Sequence, residues 1–341
     1  MASHRARLTP QMLQYAEKFD DRGDIRWLPY LMYFHPAGHR SEVVNTDPVG
    51  FRVAEARGEQ ASAGGRVPEG PVRLIAGSST VFGIGASSDS ATLASRLWAT
   101  HAPGRPWLNF GGRSFNSAQE LLLFTLYRHL VPRIEEIVLF TGFNNLGLAR
   151  LPRWMQQDSG AFFNGHEYFE QVHELRTRQR RAAGQSRWAA RRAPERPSAD
   201  DAVPDLDGQL SSAVELTLRH LDTWRLLAEG LGARLTFVLQ PLAPWVRERP
   251  AGQEQLLFEE LDGIANFGEA YGDICTIEAG RRYADLLSGG CEKLGVPFLD
   301  MNPVLGEAIG DEDWIFVDRI HFTDQGHDIV AGLLADRLSL R

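Results

Sequence analysis

Five short apolar runs mark the chain from residue 72 onward: Val72 to Ala76 before Gly77, Trp107 to Phe110 before Gly111, Ile134 to Thr141 before Gly142, Arg234 to Leu239 before Gln240-Pro241, and Val296 to Leu299. Stretches with helical spacing lie between them, among them Ala91 to Thr100 and Ser117 to Leu130. Apolar runs of four to eight residues alternating with helices predict βαβ units and a parallel sheet covered on both faces. The expected fold class is therefore α/β, doubly wound. In such sheets ligands bind beyond the carboxyl ends of the strands. The segments Gly77 to Gly83, Gly111 to Ser117, Gly142 to Asn145 and Gln240 to Trp245 are thus the places to look for chemistry.

Two regions fall outside this rhythm. Residues 1 to 70 form an N-terminal extension with a short helical pattern (Met12 to Phe19), an aromatic stretch from Trp27 to Pro36, and a Gly/Ala/Glu/Arg-rich segment from Ala54 to Gly70 that reads as an exposed connection. The aromatic stretch is expected to add to the core. Residues 150 to 208 are too long for an ordinary connection. Their aromatic part, Phe162 to Glu174, reads as a helix that could serve as a lid, and the Pro/Asp/Ser-rich part, Pro194 to Asp207, reads as disordered.

Composition narrows the classes. With 341 residues and 43% hydrophobic positions the chain can bury a full core, as one elaborated domain or two ordinary ones. Two cysteines, Cys275 and Cys291, build neither a disulfide framework nor a zinc module. No apolar leader region and no membrane-length apolar run occur, so a cytoplasmic location is expected and no membrane span. The net charge of −8 argues against capture of nucleic acid by the whole molecule. A basic island, Arg176 to Arg196 with eight arginines, is the exception. It reads as a solvated helix or tail, or as a surface for an acidic carrier protein or anionic substrate; its single aromatic, Trp188, disfavours nucleic acid.

The turn Gly77-Ser78-Ser79-Thr80-Val81-Phe82-Gly83 fits neither a phosphate-cradling loop, which needs Lys-Ser/Thr after its second Gly, nor a Gly-x-Gly-x-x-Gly dinucleotide fingerprint. It also lacks the second Gly of a Gly-x-Ser-x-Gly elbow, since position 81 is Val. Near the other end, Asp318 and His321 are three residues apart on one turn. There the carboxylate can bind Nδ1–H and leave Nε2 as a base for a serine. Taken singly, such a pair is more often a surface or capping pair, since Thr323 and Asp324 also make a reasonable helix start. Asn144 and the Gly111-Gly112 turn offer donors for a developing oxyanion, each with an ordinary turn as its alternative. His327, six residues after His321, lacks the spacing of a helical metal site.

Taken together and in order, these segments resemble the consensus blocks of the SGNH (GDSL-like) hydrolase superfamily. Gly77-Ser78-Ser79 with Gly83 is similar to the nucleophile block, Gly142-Phe143-Asn144-Asn145 to the oxyanion-Asn block, and Asp318-Arg319-Ile320-His321 to the Asp-x-x-His block. The resemblance implies a three-layer α/β/α fold with a five-stranded parallel sheet over residues 71 to 341, interrupted by the insertion at 150 to 208. It implies Ser79, His321 and Asp318 as a catalytic triad. It also implies an oxyanion hole from Asn144 and the backbone of Ser79 and Ser114, with no metal or cofactor. The departures are Ser78 and Asn145 where the family has Asp, and Ser114 where it has Gly.

The expected activity is a serine esterase or deacylase acting through an acyl-enzyme on a small or carrier-bound acyl ester or thioester. Gly111, Gly112, Gln240 and Trp245 are expected to shape its substrate pocket. Two alternatives share the residues: an acyltransferase discharging the same acyl-enzyme to another acceptor, and a silent ligand-binding protein of the same fold. Oligomeric state is left open.

Overall fold

In a computed structural model of the chain, the described residues are 3–19, 26–152, 155–156, 158, 160–163, 165, 203–264 and 267–340. The Arg176 to Arg196 island lies outside them, as do most of Phe162 to Glu174 and of Pro194 to Asp207.

Five strands form one parallel sheet: β1 (Val72–Gly77), β2 (Trp107–Gly111), β3 (Ile134–Thr141), β4 (Arg234–Leu239) and β5 (Phe298–Asp300), ordered β2-β1-β3-β4-β5. Leu74 pairs with Leu108 on one side and Ile137 on the other, and every residue of β1 is buried. A central strand packed on both faces has no polar side to show, which is why its run reads as continuously apolar. The fifth strand starts two residues later than its apolar run. Gly295 ends the helix Ile277–Leu294 at φ 67°, and the Val296 amide donates to the Cys291 carbonyl instead of joining the sheet.

Helices cover both faces, giving three α/β/α layers. Leu93–Arg96, its continuation over Leu97–His101 and the C-terminal Asp324–Arg337 pack together on one side; Ser117–Tyr127, Leu206–Leu231 and Ile277–Leu294 pack side by side on the other. The helix starting at Ser117 does so because Asn116 and Gln119 form a reciprocal capping box. Because β1 leads outward to β2 and the chain then returns to β3, the strand order reverses between β1 and β3. Crevices open at such reversals.

The N-terminal region is woven into this core. Leu31, Tyr33 and Phe34 are buried with the sheet residues, as expected of the aromatic stretch, whereas Tyr30 is exposed. The segment after Ala54 departs from the expected exposed connection. Ala54–Ala56 and Glu59–Ala61 form a hairpin turned by Arg57 and Gly58 at φ 53° and 81°, with Ala54, Ala56, Ala61 and Ala63 buried. Alternating alanines bury little area each, so their period of two was hidden among Glu, Gln and Arg. The helix Gln11–Lys18 meanwhile lays Met12, Tyr15 and Phe19 against Phe82, Ile84 and Val317, beside the β1 carboxyl end.

Candidate active site

Strand β1 ends at Gly77, and extended Ser78 caps the short helix Ser79–Phe82, closed by Gly83 at φ 94°. Ser79 therefore occupies the first helical position, where a backbone N–H has no intrahelical acceptor. This helix lies directly on the end of β2: a Cβ on Gly111 would sit 2.1 Å from the Phe82 nitrogen, so the close approach requires glycine there. Asn109 of β2 donates to the Val81 carbonyl at 2.8 Å, and Gln240 at the end of β4 meets the hydroxyls of Ser78 and Thr80 at 3.2 and 3.3 Å.

His321 comes from the loop before the last helix. Its Nε2 lies 2.8 Å from Ser79 Oγ, and its Nδ1 lies 2.8 and 3.0 Å from the Asp318 carboxylate oxygens. With Nδ1 protonated, the ring donates to Asp318 and accepts from the Ser79 hydroxyl. Asp318 also accepts the backbone N–H groups of Ile320 and His321, both at 2.8 Å. Burial alone would raise its carboxyl; the positive field of His321 and the donated hydrogen bonds outweigh this and hold it below its ordinary value. The loop is held from beneath by buried Glu254, whose Oε1 accepts from the amides of Ile315 and Phe316 at 2.9 Å each while Arg247 pairs with Oε2.

The loop after β2 carries Ser114 at φ 56°, in the left-handed region that explains why a glycine suits this place. Two residues of the N-terminal region secure it: His35 Nε2 accepts the Arg113 backbone N–H at 3.0 Å, and Tyr33 donates to the Ser114 carbonyl at 3.0 Å. Asn144, at the end of β3, is buried and donates one amide N–H to the Phe115 carbonyl at 2.7 Å, tying the two turns together. Asn145 is bonded to Ser117 and Thr217.

A cavity of about 160 Å³ opens beside Ser79, lined on one side by Ser79, Ser114, Asp318 and His321. Its opposite wall is the N-terminal segment, through Arg5, Met12, Tyr15 and Phe19. That segment is anchored to the serine turn itself: Tyr15 donates toward the carbonyls of Gly83 and Ala86, both at 2.8 Å, and accepts from Arg52. Arg52 is fully buried, bonds the Gly83 carbonyl and pairs with Asp89 at 2.8 Å.

The expected pocket residues need correction. Gly111, Gly112, Gln240 and Trp245 do not line this cavity. Gly111 and Gly112 admit Phe82 and the Phe115 ring, Gln240 braces the serine turn, and Trp245 is buried with its Nε1–H on the Ile274 carbonyl. Strand-end position alone does not distinguish a residue facing the crevice from one packed behind it. The lining from Arg5 to Phe19 had no motif to mark it; the amphipathic spacing of Met12, Tyr15 and Phe19 was its one trace in the sequence. Cys275 and Cys291 are free thiols that burial pushes up to about 12. Among the described residues no three His, Cys, Asp or Glu side chains converge as a metal-ligand set, and no helix is long and apolar enough to cross a membrane.

No family model and no curated protein matches the chain. Solved structures do. It is similar to the lipase/acylhydrolase from Enterococcus faecalis, at 11% identity, 79% of this chain and 95% of that one, with a TM-score of 0.42. It is similar also to a member of the lipolytic protein G-D-S-L family from Veillonella parvula DSM 2008, at 11% identity, covering 79% and 99%, with a TM-score of 0.43. A third is the acetyl xylan esterase AlAXEase, at 12% identity, covering 78% and 98%, with a TM-score of 0.38.

Proposed function

We propose that this chain is a serine hydrolase that cleaves an acyl ester or thioester of a small or carrier-bound substrate through an acyl-enzyme. The observation that carries the reading is the continuous relay Ser79 Oγ to His321 Nε2 at 2.8 Å and His321 Nδ1 to Asp318 at 2.8 Å, opening on a cavity.

As Ser79 Oγ bonds to the carbonyl carbon, its proton passes to His321 Nε2 and the carbonyl electron pair moves onto oxygen. Asp318 stabilises the imidazolium and keeps the ring oriented. The backbone N–H groups of Ser79 and Ser114 and the second amide N–H of Asn144 serve as donors to the oxyanion. Collapse expels the alcohol or thiol, which takes the proton from Nε2. Water then attacks the acyl-serine, delivers its proton to Nε2, and the carboxylic acid leaves as Ser79 recovers its hydrogen.

Labelling by a fluorophosphonate probe and hydrolysis of a short-chain aryl ester, each in wild type and Ser79→Ala, test this. Wild type is expected to label and turn over. Absence of label together with a rate no higher than Ser79→Ala overturns the reading.

A further inference from the structure

An open groove of about 450 Å³ lies between the helices Leu206–Leu231 and Ile277–Leu294 and shares no residue with the cavity beside Ser79. Val214 and Leu218 of the first helix and Leu286 and Leu294 of the second make it apolar, and Leu286 is 47% exposed. Two adjacent glycines lie in the same lining, for different reasons. A Cβ on Gly290 would sit 2.1 Å from Leu218 Cδ1, so that glycine makes room for the neighbouring helix. A Cβ on Gly289 would meet nothing within 4 Å among the described residues. Glycine is unfavourable in a helix interior, and nothing described within one chain accounts for it there. What a bare backbone beside an apolar groove does allow is close approach by another helix.

Charge decides whose helix that is. Asp285 and Lys293 also line the groove and complete a row through Gly289 at four-residue spacing. Neither has an ion-pair partner among the described residues. A two-fold axis through Gly289 sets each residue before it on one copy against the residue equally far after it on the other. Asp285 then faces Lys293 of the partner subunit, and the same pair forms again across the axis. A patch that matches itself in this way is what an isologous dimer requires. We propose that this chain forms a two-fold homodimer in which the Ile277–Leu294 helices pack antiparallel across Gly289. The second copy covers the apolar groove, with an Asp285–Lys293 ion pair on each side of the axis. Association of this kind is independent of the chemistry at Ser79.

Sedimentation velocity of the full chain over a concentration series tests this. Wild type is expected to dimerise at micromolar concentration. Asp285→Lys and Lys293→Glu each set like charges opposite one another twice per dimer, and each should raise the dissociation constant by about tenfold or more. The double variant Asp285→Lys/Lys293→Glu should dimerise as wild type does. Equimolar mixing of the two single variants should likewise give a dimer at concentrations where neither forms one alone. Gly289→Leu improves helix propensity and finds open space in the monomer, so it should fold, as a thermal melt shows, yet fail to dimerise. A wild-type chain that stays monomeric up to about 100 µM overturns the inference and leaves the groove to a partner of another kind. A dimer that persists unchanged in all three single variants lies on a different face and overturns it equally.

Discussion

His35 accepts the backbone N–H of Arg113 through Nε2 at 3.0 Å while its Nδ1–H donates to the Gly50 carbonyl at 3.0 Å. A neutral ring with this tautomer is the only form that satisfies both partners, and burial lowers its pKa to about 3. The loop that presents Ser114 is thereby fixed by a residue from the N-terminal region. Replacing His35 by Phe keeps the ring but leaves the Arg113 N–H buried without its acceptor, at a cost of about 1–3 kcal/mol. Urea unfolding should register this loss. In an ester assay the same variant should lower kcat more than it raises KM, since a displaced oxyanion donor acts chiefly on the transition state.

Asp318→Asn should preserve the turn, because the Asn carbonyl can still accept from Ile320 and His321. Its amide would instead face His321 Nδ1 and force the proton onto Nε2, which can then no longer accept from Ser79. A fall in kcat of about 10³–10⁴-fold is expected with little change in melting temperature. A variant that retains a tenth of the wild-type rate would remove Asp318 from the proposed relay.

Ser114 sits at φ 56°, where a side chain is strained by about 1–2 kcal/mol relative to glycine. Ser114→Gly relieves the strain but gains unfolded-state entropy, so thermal unfolding should show a net change of about 1 kcal/mol or less. Ester hydrolysis should persist, since the backbone N–H remains. Ser114→Val should be worse on both counts, as a β-branched side chain resists this conformation. An equally stable and active Val variant would argue against the conformational account.

Glu120 is fully enclosed behind the β3 end, with the Thr141 hydroxyl donating to it at 2.6 Å. Burial raises its pKa from 4.5 to about 8, only partly opposed by that hydrogen bond. The folded state therefore binds a proton that the unfolded chain releases. This contribution to stability is fully present below about 4.5 and is lost as pH rises toward about 8. Glu120→Gln removes the dependence while keeping an acceptor for Thr141. Denaturation curves at pH 5 and pH 9 should show the variant gaining on wild type at the higher pH; parallel curves would sink the assignment.

The buried neutral histidines act in the opposite direction. His35 and His327 are both lowered to about 3 by burial, so the unfolded chain takes up protons first as pH falls below about 6.5. Stability should decline from there toward pH 3. His327→Phe, at a fully buried position against Phe322, should soften the acid limb in a pH series of melts.

The strands and the Asp318 and His321 pair were legible from local order in the chain itself, whereas Ser79 stood out only through the resemblance of its turn, taken with the other segments in order, to a family block. A run buried on both sides must be apolar along its length, and an Asp three residues from a His on one turn can reach its ring whatever the rest of the fold does. Small alanines spoke too weakly for the hairpin at Ala54–Ala61, and the amide of Val296 was claimed by a helix end. What tertiary structure alone decided was the company these residues keep. Ser79 and His321, 242 positions apart, meet because β1 and the last loop end at the same edge of one sheet. Gln240 and Trp245 are turned inward by packing that no neighbouring residue dictates. Arg5, Met12 and Phe19 become a wall of the cavity through contacts made across the fold, Tyr15 with the carbonyls of Gly83 and Ala86 and the Arg5 amide with Glu260. Local sequence constrains what a residue can do with its near neighbours, while burial and long-range hydrogen bonding select which distant surface it finally meets.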